Sequence, residues 1–177
     1  MGNLLFSPSG RINSSDFMKG ATVLIVITLV LALLPVISPG LALLNIVTLV
    51  FLWCWVVLWV KRYHDGGKTG WMCIIPIIIY LIVGGVAGWL VTQSFVDADA
   101  VAEAQEAIAE ATEANDIGAM FKASMGANGV TKTGTIVVAL VSAAVSYAIA
   151  FLFNKMIAGD AHDNQFGPHA GTADTFN

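Results

Sequence analysis

The 177 residues include only 8 basic and 12 acidic side chains; charged types make up 11% of the chain and apolar types 57%. A soluble domain carries about 25% charged residues, so this chain, with a mean hydropathy of +0.79, cannot clothe the surface of one. Disorder is excluded as well, because it needs low hydrophobicity and high net charge. A net charge of -4 leaves no basic footprint for nucleic acid. Cys54 and Cys73 stand alone in apolar runs, too few and too separated for a disulfide framework or a zinc knuckle. What remains is an integral membrane protein.

Residues 1–19 precede the first apolar run. Four runs then reach the length needed to cross a hydrocarbon core, about 20 residues at helical rise: 20–37, 41–60, 71–91 and 134–153. None contains Asp, Glu, Lys or Arg. Continuous apolar runs predict helices, since a backbone in lipid must satisfy its own hydrogen bonds and a barrel would need short alternating segments. Arg11 and Lys19 precede the first run, as in a signal peptide. However, Ser38-Pro39-Gly40 and a second full span follow at once, so an uncleaved helical hairpin is expected. Pro35 and Pro76 are candidate kinks that neighbouring helices would tolerate.

Basic residues set the expected orientation. With the N-terminus in the cytoplasm, Arg11, Lys19, Lys61, Arg62, Lys68 and Lys155 lie inside and only Lys122 and Lys132 outside, the positive-inside pattern. Both termini, the 61–70 loop and the 158–177 tail are then cytoplasmic. Trp53, Trp55, Trp59 and Trp71 gather toward the inner ends of spans two and three as an aromatic belt would.

Residues 97–132 form an outer segment holding seven of the twelve acidic residues. Ala and Glu predict a helix. Glu103, Glu106, Glu110 and Glu113 recur every three or four residues and share one face, with Val101, Ala104, Ile108 and Ala111 roughly opposite. Like charges at this spacing repel by about 0.2–0.5 kcal/mol per pair, so the helix needs packing or a partner. The expected architecture is therefore all-α: an integral membrane four-helix bundle, closed by a fourth transmembrane helix within 133–157, with an extra amphipathic acidic helix between spans three and four.

Three local patterns carry a resemblance. They are Gly10-Arg11-Ile12-Asn13 near the start, Arg62-Tyr63-His64-Asp65-Gly66-Gly67-Lys68-Thr69-Gly70-Trp71 after span two, and Gly159-Asp160 with Asn164-Gln165-Phe166-Gly167-Pro168 after span four. Together they resemble the small bacterial inner-membrane proteins catalogued as domain of unknown function 805, over nearly the whole chain except 97–130. Ser14, Met18, Thr69 and Met72 depart from the family's usual residues. The resemblance implies a membrane location and a helical bundle; it implies no reaction.

Several constellations compete for a role. His64-Asp65 is a candidate general-base pair, and a metal site would have to recruit the remaining histidines, His162 and His169. The plainer reading is a tight turn, with Asp65 accepting backbone hydrogens, Gly66, Gly67 and Gly70 supplying turn dihedrals, and His64 capping span two. Lys61, Arg62 and Lys68 beside Trp71 also suit anionic lipid headgroups, at about 1 kcal/mol per cation. A second expectation is one cytoplasmic cluster in which Arg11 or Arg62 pairs with Asp65 or Asp160. Gly84-x-x-x-Gly88, and Ser142 with Ser146, read as helix-packing seams, and Asn45 as the leading intramembrane hydrogen-bonding residue.

Uncharged spans argue against an ion-coupled pump, and no Walker loop, nucleophile elbow or His-Glu-x-x-His pair occurs. The expectation is a non-catalytic protein with no cofactor and no metal, an accessory or scaffold subunit associating with a membrane-protein partner or its own copies. Anionic lipids would bind at the inner leaflet, and the glutamate face would be the partner surface. The alternative is an oligomeric channel or carrier for lipid or a neutral solute, lined by Asn45, Thr48, Ser142 or Ser146.

Overall fold

Apolar continuity dominates the local structure. The computed structural model describes residues 5–124 and 127–171, and among these the regular structure is helical, with two isolated antiparallel bridges and no strand. The helices are α1 (Ser14–Ile37), α2 (Thr48–Asp65), α3 (Ile74–Gln93), α4 (Ala98–Glu113), α5 (Ile117–Ser124) and α6 (Lys132–Met156). Four stretches are long and apolar enough to cross a membrane: Ser14–Ile37, Gly40–Asp65, Gly70–Gln93 and Lys132–Met156. The expected all-α class and its four long apolar helices are present.

The second stretch differs from a plain span. Pro39–Val47 is a 3-10 segment, and α-helix begins only at Thr48. Pro35 lies inside α1. Pro76 occupies the first turn of α3, where a missing N–H costs nothing, and it is fully buried.

The chain divides into two units, and Met1–Thr28, Val47–Gly85 and Ala143–Asn177 form the first. Its core joins Ile12, Phe17, Ala21 and Leu24 to Cys54, Leu58, Trp59, Tyr63, Cys73, Ala150 and Ile157. Trp59 lies at the centre: its ring centroid is 4.5 Å from Phe17, 6.1 Å from Tyr63 and 6.2 Å, edge-on, from Phe153. Trp59 is therefore a core residue and not part of an aromatic belt, because its neighbours surround the indole with rings, which favour tilted contacts. Trp53 and Trp71 are exposed.

Leu29–Ile46 and Val86–Ser142 form the second unit. Here Asp97 caps α4, its Oδ1 accepting from the backbone N–H of Asp99 and Ala100 at 3.0 and 3.2 Å. Asn115, at φ 57, lies in the turn between α4 and α5; α5 packs on α4. Glu103, Glu106, Glu110 and Glu113 are exposed, while Val101, Ala104 and Ile108 are half-buried and Ala111 is buried. The stem is closed by a Val96–Val130 bridge, with Asp97 N–H donating to the Gly129 carbonyl at 2.9 Å and Thr131 N–H to that of Phe95 at 3.0 Å. Gly129 is required twice over: its φ is +60, and a β-carbon there would lie 2.3 Å from Val101 Cγ2.

Candidate functional site

A topological parity precedes the chemistry. The start of α1 and the ends of α2 and α6 carry the three motif segments, and all three belong to the first unit. Asn13 sets the start: its Oδ1 accepts the Asp16 N–H at 2.8 Å, a helix cap. At the other terminus of its helix, α2 ends in a turn where the Gly66 and Lys68 N–H groups donate to the Tyr63 carbonyl and Gly67 N–H to that of His64. Gly67, at φ +67, takes the left-handed conformation that favours glycine.

Asp65 then lies between two arginines. Its Oδ2 accepts from Arg62 Nη1 at 2.7 Å and its Oδ1 from Arg11 Nη2 at 3.2 Å. All three side chains are nearly sealed from the surroundings, Arg11 at 1% exposure. Removing charges from water costs several kcal/mol each and is offset only when the geometry is good and the remaining hydrogens find acceptors. Arg62 meets that condition. Its Nε donates to Asn154 Oδ1 at 2.5 Å, and its Nη2 donates to the carbonyls of Asn154 and Ile157. Those carbonyls belong to the end of α6 and the residue just beyond it, where a cation is favoured by the exposed C=O groups.

Arg11 binds the tail. Its Nη1 donates to the His162 carbonyl at 2.8 Å and more weakly to that of Gly167 at 3.4 Å. Its Nη2 donates to the Asp160 carbonyl at 2.7 Å and to that of Asp65 at 3.3 Å. The tail returns bonds to the loop: Asp160 N–H donates to the Asp65 carbonyl at 2.7 Å, and Asn164 Nδ2 donates to the His64 carbonyl at 3.0 Å and to Asp160 Oδ2 at 2.8 Å. The Phe166 ring stacks on His64 with centroids 3.8 Å apart and planes 3° from parallel. Ile12 N–H donates to the Lys61 carbonyl at 3.3 Å, which ties in the N-terminal segment.

Glycines allow this approach. A β-carbon at Gly159 would lie 2.6 Å from Asp65 Oδ2, and one at Gly66 2.9 Å from the Ala158 carbonyl oxygen. Of the three loop glycines expected to supply turn dihedrals, only Gly67 has a positive φ; Gly66 and Gly70 are needed for space.

The expected cluster of Arg11, Arg62 and Asp65 is thus assembled, though with different pairings in detail. Both arginines take Asp65, and Asp160 offers Arg11 its main-chain oxygen in place of its carboxylate. His64 and Asp65 do not act as a pair: the carboxylate goes to the guanidinium groups, while His64 Nδ1 is 3.2 Å from the Gly10 carbonyl. Of the residues assigned to lipid headgroups, Arg62 faces inward and Lys61 is buried, whereas Lys68 and Trp71 are exposed. Asp16 takes Lys19, 2.9 Å away, and Asn13.

The proposed seams fare differently. A β-carbon at Gly88 would meet nothing within 4 Å, and the nearest atoms to one at Gly84 would be those of the Tyr80 ring one turn back on its own helix. Ser142 and Ser146 are half-buried, and Ala150 is buried in the core. Asn154, which the sequence offers among the polar residues available for interhelical hydrogen bonds beside Asn45, Thr48, Tyr80 and Tyr147, makes such bonds to Ser14. Asn154 Nδ2 donates to Ser14 Oγ at 2.9 Å and to the Ser14 carbonyl at 3.1 Å, so one amide joins Arg62 to the start of α1. An isolated Asn in the last turn of an apolar span was its only signal.

A family model described as "Protein of unknown function (DUF805)" matches residues 5–168. No curated protein and no solved structure matches.

Proposed function

The chain belongs to the family described as proteins of unknown function, DUF805, and from that premise we propose that it is a non-catalytic protein of the bacterial inner membrane, an accessory or scaffold subunit that associates with other membrane proteins. The observation that carries this reading is the way the arginine cluster ties the loop after α2 to the end of α6 and to the tail. General acid–base or nucleophilic chemistry needs a group able to exchange a proton or form a bond with a substrate. Here the central carboxylate is held between two guanidinium groups, and those donate to main-chain carbonyls. Such an arrangement fixes the relative positions of chain segments, as a docking platform requires.

Two exposed surfaces suit contacts. Lys68 and Trp71 stand out from the loop beside the cluster, a pairing of cation and aromatic suited to anionic headgroups at a membrane surface. The exposed glutamates of α4, which repel one another, suit a basic partner. The distribution of basic residues orients the cluster, with both termini, toward the cytoplasm and α4 to the outside. The test is extraction of the untagged protein from its own membrane in mild detergent, followed by native mass measurement. A reproducible complex of defined mass is expected; a stable monomer with nothing attached overturns the proposal.

A further inference from the structure

The tail beyond α6 is attached by different forces from the helices. Between Gly159 and Gly171 the apolar burial is small: of the apolar side chains, Ala170 is buried and Phe166 half-buried against His64, while Ala161 and Pro168 are exposed. Docking therefore rests on polar contacts, and three of them converge on Arg11, from the carbonyls of Asp160, His162 and Gly167. A segment with so little apolar burial belongs to the low-stability end of a structure, where local opening occurs without global unfolding.

Its anchor is electrostatically incomplete. Arg11 and Arg62 face one shared carboxylate, while the Asp160 carboxylate accepts from Asn164. Arg11 Nε is buried and has no hydrogen-bond partner among the described residues. Buried N–H groups are almost always paired, and a guanidinium pairs best with the charged, forked oxygens of a phosphate or carboxylate. The tail supplies neutral carbonyls instead.

We propose that the tail is a strap over Arg11, and that an anionic phosphate group displaces it by taking the guanidinium from the three carbonyls. Opening would uncover Arg11 and the His64 face of the loop while α1, α2 and α6 stay packed on their own core. The inference does not depend on the accessory role proposed above, because it concerns only this chain and its ligand.

Hydrogen exchange on the full chain, read at the Asp160, Asn164 and Gly167 amides, tests it. The protein is compared in nanodiscs of phosphatidylcholine, in the same discs with inorganic phosphate or matched chloride, and in discs containing phosphatidylglycerol. Exchange about tenfold faster than in the phosphatidylcholine and chloride samples is expected. Acceleration by phosphatidylglycerol identifies a lipid headgroup as the ligand, and acceleration by inorganic phosphate a soluble one. Equal protection in every sample overturns the proposal. Arg11→Lys keeps the charge and loses the fork; its tail should exchange fast everywhere, and wild-type protection would also overturn the idea. Should that variant fold poorly, Asn164→Ala, which leaves Arg11 intact, must open at a lower phosphatidylglycerol content than the wild type; an unchanged requirement contradicts the strap.

Discussion

Asp65 joins both arginines of the cluster to the tail. Its carboxylate separates two buried guanidinium groups, and its carbonyl accepts from both Asp160 N–H and Arg11. Asp65→Asn keeps the shape but leaves two buried cations without a counter-charge. Removing one partner of a buried ion pair costs about 3–5 kcal/mol, and a loss in that range is expected in denaturant or thermal unfolding of the detergent-solubilised protein. A loss below about 1 kcal/mol, the value of a solvated surface pair, would mean that the cluster is open to solvent. The neighbouring glycines follow from the same geometry, since Asp65 Oδ2 lies where a β-carbon of residue 159 would need room.

Among the elements, α4 is the one with least support from the spans. Its glutamates repel along one face, and its apolar stripe is the short row Val101, Ala104, Ile108 and Ala111, with the short α5 packed on the helix. Capping therefore matters more than it would for a helix gripped by a core. Asp97→Ala removes the acceptor of two N–H groups and is expected to cost α4 about 1 kcal/mol. Faster exchange of the Asp99 and Ala100 amides, with the four apolar helices unaffected, would register it; unchanged exchange would show that the stem around Val96 and Val130 holds the helix by itself.

At the scale of the whole molecule, the outstanding prediction is sidedness. Lys68→Cys and Glu106→Cys, each made in a chain with Cys54 and Cys73 replaced by alanine, place a thiol at the exposed loop and on the exposed face of α4. An impermeant maleimide applied to intact spheroplasts is expected to label position 106 at once and position 68 only after permeabilisation. Labelling of both from one side would refute four crossings with the loop inside. The placement of Arg11, Arg62 and Asn154 together favours the even number of crossings, because the start of the first span and the ends of the second and fourth then share a face.

Composition and apolar run length were enough to determine the class of this protein: a chain with 11% charge and four uncharged runs has no other way to bury its surface or satisfy its backbone. The motif residues Arg11, Arg62 and Asp65 were also legible as a group, because three segments rich in glycine and charge punctuate an otherwise apolar chain. Their pairing was not legible. Arg62 and Asp65 stand three residues apart on one helix, but which carboxylate Arg11 reaches, and whether Asp160 offers its side chain or its backbone, depends on contacts 54 to 156 residues apart in sequence, for which helical periodicity carries no information. The same limit left Asn154 as one polar residue among several and placed Trp59 in a belt. Local pattern fixes which face a residue occupies on its own helix, and only the packed tertiary structure decides what stands opposite.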